Sequence, residues 1–255
     1  MKKNPFKSSD LFEKELIDFS NKHRTVLAEH SKRISDYFEM SCFNMVVQYY
    51  EKKGYKLEVQ NLQGGKFKYK CSPNGLLKNF SYFKAVKNVT QGLADTVYLY
   101  HNATVQSAFD NQVYTTPDIV VSKTNTPIET KDYYLTGKTM SYIPNDSLVT
   151  FCEAKHLVPF PELMINFIGT VHELKPECLT ESAERQVSAH IAPSLMMSGT
   201  LGVPTRRIQN SFERRYYVNF FDNLFDDDTI KKHLSIYGVE FIATLGKKRG
   251  KAPLI

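Results

Sequence analysis

The sequence predicts an α/β domain, and three observations carry that prediction. Helix-period segments stand at both ends of a strand-rich stretch that runs from about residue 55 to 155. A confident strand over 147–157 is followed directly by a helix-period segment over 162–174. The 255 residues include 42% apolar ones, enough for one large core or a core with an added arm.

The elements follow in chain order. Residues 9–30 place Leu11, Phe19, Val26 and Leu27 in helical rhythm among charged residues such as Glu15, Asp18 and Lys22. That pattern predicts an amphipathic helix with a charged outer face, so residues 1–30 read as an N-terminal helical arm and 31–255 as the α/β domain. A second helix is expected from Ser31 to Lys53, closed by Gly54. Its segment FEMSCFNMVVQYY is apolar nearly all round, the mark of a buried helix.

YKLEVQNL (55–62) and KFKYKCS (66–72) read as strands about a Gly64-Gly65 turn. FSYFKAVK (80–87) suits strand or helix. TVYLYHNATVQSAF (96–109) reads as one or two strands, and VYTTPDIVVS (113–122) as another. Pro117 implies an edge, a bulge or a strand start. Residues 123–146, with Pro127, Gly137 and Pro144, read as an excursion containing a short hairpin.

SLVTFCEAKHL (147–157) is an apolar run that meets charge at its C-terminal end, and Pro159 and Pro161 end it. The helix that follows, about 162–174, has Leu163, Met164, Phe167, Ile168, Val171 and Leu174 as its apolar stripe, and Pro176 stops it. Further on, helices are expected near 180–189 and 204–214. Strands are expected at 194–199, RYYVNFFDNL and VEFIATLG, before a basic tail.

Composition narrows the function. The net charge of +6 favours an acidic partner such as nucleic acid. Cys42, Cys71, Cys152 and Cys178 form no CxxC pair, which argues against a zinc knuckle and for reduced thiols. MKKNPFKSSD has no apolar stretch behind its lysines, and no run approaches the roughly 18 apolar residues of a membrane span. The expectation is a cytoplasmic protein with no membrane partner. There is no P-loop, GxGxxG, HExxH or GxSxG.

The chemistry centres on Asp118, in TPDIVV, and on Glu153 and Lys155, in FCEAK. Alternate residues of a strand share a face, so Glu153 and Lys155 project together and Ala154 turns away. If the strand beside Asp118 pairs with this one, an acid from each meets at one point. Cleaving a phosphodiester requires an activated water and neutralised oxygens, which carboxylate-held Mg²⁺ supplies.

Pro117-Asp118 followed by Glu153-Ala154-Lys155 resembles the PD-(D/E)xK nuclease superfamily. The resemblance spans about residues 31–200 and implies a restriction-endonuclease-like core, a central mixed β-sheet flanked by helices. It implies that Asp118 and Glu153 hold Mg²⁺, with Mn²⁺ as substitute, that the Ala154 carbonyl helps, and that Lys155 positions the nucleophile. Glu39, on the buried helix among Phe43, Val46 and Tyr50, matches the helix glutamate of many members, which implies that it tunes or completes the metal site.

The implied activity is endonucleolytic hydrolysis, with DNA favoured, in restriction, antiphage defence or repair. Two other readings stand beside it: a catalytically silent nucleic-acid-binding or regulatory module, and a helical-arm protein that assembles into a homo-oligomer.

His156 and Gln186 are secondary candidates near the site. Arg206-Arg207, Arg214-Arg215 and the 247–251 cluster are candidate phosphate contacts. Glu162, Asn166, Gly169 and Glu173 read as a solvated helix face. Asp226, Asp227 and Asp228 read as helix-start acids.

Overall fold

A helix that is apolar on every side must be covered on every side, and the first helix meets that demand. The computed structural model describes residues 34–88, 94–131, 133–134, 136–180 and 190–224. The expected arm over 1–30, the helix near 180–189 with Gln186, VEFIATLG, the basic tail and Asp226–Asp228 lie outside them.

Helix α1 (Ile34–Lys52) buries Phe38, Met40, Phe43, Val46, Val47 and Tyr50. It ends at Gly54, whose φ of +89° suits the left-handed position that glycine occupies without strain. Gly54 N–H donates to the Glu51 carbonyl and Tyr55 N–H to the Tyr50 carbonyl, both at 3.0 Å. This doubled closure is a Schellman motif and satisfies two terminal carbonyls of the helix.

Strand β1 (Lys56–Gln60) runs into a turn in which Gln63 and Lys66 exchange backbone hydrogen bonds of 2.9 and 3.2 Å. Gly64 and Gly65 both have positive φ there, as expected for that dipeptide.

The anticipated strand at 66–72 is not formed. Phe67 and Tyr69 instead turn under α1, where Phe43, Phe67, Tyr69 and Phe83 stack at 4.8–6.4 Å between ring centres. The place beside β1 falls to β2 (Tyr82–Asn88), in antiparallel register Lys56↔Val86 to Gln60↔Tyr82. Burying two aromatic rings outweighs a few ladder hydrogen bonds at an edge.

The remaining elements are β3 (Ala94–His101), β4 (Val105–Gln106), β5 (Tyr114–Thr115), β6 (Ile119–Ser122), β7 (Ile128–Thr130), β8 (Met140–Tyr142), β9 (Leu148–Lys155), α2 (Pro161–Leu174), β10 (Ser194–Met197), α3 (Val203–Arg215) and β11 (Asn219–Phe221). Pro117 precedes a strand start, but β6 is central and not an edge.

Among the described residues, seven strands form one mixed sheet in the order β1-β2-β3-β6-β9-β10-β11. The first five pair antiparallel, and β10 and β11 run parallel to β9. The switch occurs where α2 carries the chain over the sheet, as a parallel connection requires.

Strand residues alternate between two cores. Leu99, Ile119, Val121, Cys152, Ala154 and Met196 meet α1. Tyr100, Val120, Phe151, Leu195 and Met197 share the other core with α2, whose Met164, Phe167, Val171 and Leu174 are buried, and with half-buried Ile208 and Phe212 of α3. β6 and β10 are buried at every position, which explains why each is apolar apart from one terminal serine, Ser122 or Ser194. The architecture is therefore mixed α/β with helices on both faces.

The four cysteines are free, as expected. Among the described residues no helix is long and apolar enough to cross a membrane.

Candidate active site

Register alone brings the motif acids together. β6 and β9 pair antiparallel with Ile119 opposite Cys152, so the next step outward sets Asp118 against Glu153. Asp118 is buried, and its Oδ2 accepts the Ala154 N–H at 2.7 Å and the Lys155 ammonium at 3.0 Å. The same ammonium lies 2.7 Å from Glu153 Oε2. Ala154 turns into the α1 core, while the Lys155 side chain keeps 35% exposure and opens the cluster to solvent.

Glu39 of α1 reaches this cluster electrostatically. Burial pushes its carboxyl up to about 7, and the Asp118 charge adds to the rise, while Lys155 and the Asn102 amide oppose it. Glu153 is pushed up by burial first and by Asp118 second. Burial by itself would lower the Lys155 pKa, but Asp118 and Glu153 outweigh it and hold the ammonium above the ordinary lysine range. One permanent cation thus faces three acids that share too little positive charge.

Among the described residues no three His, Cys, Asp or Glu side chains form a ready metal cage. Mg²⁺ needs only one or two carboxylates beside waters, and an all-oxygen, cation-deficient donor pair fits it. The residues that would hold it are Asp118 and Glu153, with the Ala154 carbonyl and Glu39 as the further donors that the resemblance implies.

The raised acids carry a pH signature. A carboxyl whose pKa is higher folded than unfolded binds its proton more tightly in the native state. It stabilises the fold below the unfolded value, and that stabilisation is lost as pH rises through the folded one. In EDTA, the melting temperature should fall between about pH 5 and pH 8. Glu39→Gln should flatten that fall in a calorimetric pH series, and an unchanged slope would contradict the assignment.

Residues outside the motif hold the cluster in place. Asn102 ends β3 with a φ of +52°, which asparagine tolerates better than most residues. Its N–H donates to the Asp118 carbonyl at 2.8 Å, and its side-chain amide favours the charged form of Glu39. Its own carbonyl accepts the Lys70 ammonium at 2.6 Å. Lys70 is buried and also donates to the Ser72 and Pro73 carbonyls at 2.8 and 2.7 Å.

His-Asn at a strand end is a faint sequence signal for Asn102. Lys70 had none, since alternation in KFKYKCS sets it with the surface lysines Lys66 and Lys68. His101 packs its ring 5.5 Å from both Phe43 and Tyr69, and burial pushes it down to about 3, so it serves as a neutral core ring.

The neighbouring strand ends are fastened to each other. Ser198 N–H donates to the Lys155 carbonyl at 3.2 Å, and Gly199 N–H to the Leu157 carbonyl at 3.1 Å. His156 Nδ1 lies 3.1 Å from Ser198 Oγ. A Cβ on Gly199 would stand 2.6 Å from the Leu157 oxygen and 2.7 Å from the Val158 Cα, both backbone atoms. Gly199→Ala should therefore push the loop behind Lys155 outward and destabilise the fold by about 2 kcal/mol in urea unfolding. A neutral effect would mean that the loop yields freely.

The basic candidates are partly committed elsewhere. Arg206 donates to buried Asp222 at 2.8 and 3.2 Å, and Arg215 lies over the Phe212 and Tyr216 rings. Arg207 and Arg214 are exposed. On α2, Glu162, Asn166 and Gly169 are exposed, whereas Glu173 accepts a hydrogen bond from Ser107 Oγ.

No family model matches the chain, and neither a curated protein nor a solved structure matches it.

Proposed function

We propose that this chain is a Mg²⁺-dependent endonuclease of the PD-(D/E)xK type that hydrolyses phosphodiester bonds, with DNA as the favoured substrate and Mn²⁺ as a substitute metal. The observation that carries the reading is the contact of one ammonium with two strand-end acids. Lys155 Nζ lies 3.0 Å from Asp118 and 2.7 Å from Glu153 at a solvent-open sheet end. The order of α1, antiparallel strands, α2 and parallel β10 further supports a restriction-endonuclease-like core.

Bound Mg²⁺ would supply charge neutralisation and a water acidified enough to attack phosphorus. The chain's own residues do the rest. Asp118 and Glu153 offer hard oxygen ligands, and the Ala154 N–H keeps Asp118 oriented. Lys155 stays protonated at neutral pH, so its part is to attract the scissile phosphate and orient the nucleophile, and not to accept a proton. Glu39, pushed up to about 7 by burial, is an acid able to exchange a proton near physiological pH.

The test incubates the purified chain with plasmid, linear DNA and RNA, with Mg²⁺, with Mn²⁺ and with EDTA, beside Asp118→Asn. Cleavage by the wild type with metal only, lost in the variant, is the expected result. Equal cleavage by the variant would remove the mechanism. Binding without cleavage by either protein would favour the silent nucleic-acid-binding module.

A further inference from the structure

Two small hairpins, β4–β5 and β7–β8, lie on the α2 side of the sheet and have no part in the chemistry above. Their inner residues Val105 and Ile143 join the α2-side core. Four tyrosines of these hairpins and of the β7–β8 connection pack together on the outside. Tyr114 of β5 packs 4.9 Å from Tyr142 of β8 and 5.0 Å from Tyr133, and Tyr133 packs 4.9 Å from Tyr134. The interplanar angles of 62°, 83° and 75° make a continuous edge-to-face string.

An edge-to-face contact covers at most one face of a ring. Tyr133 and Tyr134 accordingly remain 44% and 38% exposed, beside exposed Val113 and Ile128. Contiguous exposed aromatic surface marks a binding site more often than a packing need.

Charge and position indicate what binds. The connection reads KDYYLTGK, two lysines against one aspartate, and both Lys131 and Lys138 are exposed. Tyr114 precedes Asp118 by four residues, so their backbones lie within about 14 Å even if the chain is fully extended. The string therefore starts within a few nucleotides of the Asp118–Glu153–Lys155 cluster.

We propose that the Tyr114–Tyr133–Tyr134 string is a stacking platform for unpaired bases of a single-stranded nucleic acid leading to that cluster. Every base has a π-face, so open tyrosine rings hold single strands without demanding a sequence, and nearby lysines track the backbone. Bases stacked inside a duplex have no free face to offer. The direction of the strand rests on the phosphodiesterase reading of the cluster, but the binding chemistry does not.

The experiment is fluorescence anisotropy in EDTA with labelled oligothymidylate, oligouridylate and a DNA duplex of equal length. Wild-type protein should bind at least one of the single strands about tenfold tighter than the duplex, and the two strands separate DNA from RNA preference. Tyr133→Ala/Tyr134→Ala should weaken strand binding about tenfold, while Tyr133→Phe/Tyr134→Phe retains it. Tyr134→Ala alone, at the end of the string, gives the same reading if the double variant does not fold.

Equal affinity for strand and duplex, or an alanine pair that binds strands like the wild type, would overturn the platform. So would an alanine pair that alters only the sedimentation of the protein, since the face would then join two copies of the chain. Because EDTA removes cleavage from the readout, the two ideas fail separately. A protein that binds strands but never cuts keeps the platform and loses the phosphodiesterase reading, and one that cuts but binds strands no better than duplex does the reverse.

Discussion

Glu153→Gln should lower metal-dependent plasmid cleavage on the order of a thousandfold while leaving the metal-free protein as stable as the wild type or more so. The two halves of this result have one cause. Glu153 is nearly buried beside Asp118, with one ammonium between them, so its charged form is disfavoured in the folded state. A neutral amide of the same size removes that electrostatic cost, and the Lys155–Asp118 contact at 3.0 Å remains. In the proposed site the substitution would also remove a hard anionic ligand, for which an amide oxygen is a poor replacement. Nicking rates with Mg²⁺ and thermal melts in EDTA read the two effects independently. Wild-type cleavage by the variant would sink the site, whereas lost cleavage with a sharply lowered melting temperature would show only that the variant is misfolded.

Lys70→Met should cost about 2 kcal/mol of stability and lower cleavage about ten- to a hundredfold. The ammonium binds the Ser72, Pro73 and Asn102 carbonyls, of which the last is fully buried. Methionine fills the same channel but cannot donate, so the Asn102 carbonyl loses its partner in a dry site. Asn102 bonds the Asp118 backbone and its amide favours the charged form of Glu39, so loosening it disturbs two acids at once. The burial that makes this contact strong also pushes Lys70 down to about 8. A merely structural role predicts loss of stability alone. The positioning role predicts in addition a pH–rate profile shifted relative to the wild type, because the Asn102 amide that favours charged Glu39 is displaced. An unchanged profile in a folded variant would confine Lys70 to stability.

How much of this was legible beforehand follows from the range of each interaction. The α1 boundary was readable because Gly54 is both the end of an apolar run and a residue suited to positive φ. The pairing of Glu153 with Lys155 on one face was readable because strand geometry repeats every two residues. The strand at 66–72 was misread because Phe67 and Tyr69 alternate as a strand would, and nothing local indicates that α1 waits to cover them. Lys70 was invisible for the same reason: its partners are carbonyls of Ser72, Pro73 and Asn102, and carbonyls leave no mark in a sequence. Arg206 read as a candidate phosphate contact, and only the fold brings Asp222 beneath it.

Local chemistry, then, was enough to determine where α1, α2 and α3 run, which side chains of β9 share a face, and that an acid sits at the start of β6. Those properties depend on backbone geometry over a few residues. Tertiary structure decided that β6 and β9 are neighbours with Ile119 opposite Cys152, that Lys155 stands between the two acids, and that Asn102 and Lys70 brace them from below. These depend on contacts between segments tens of residues apart, whose energies are set by burial and by the shared field of several charges.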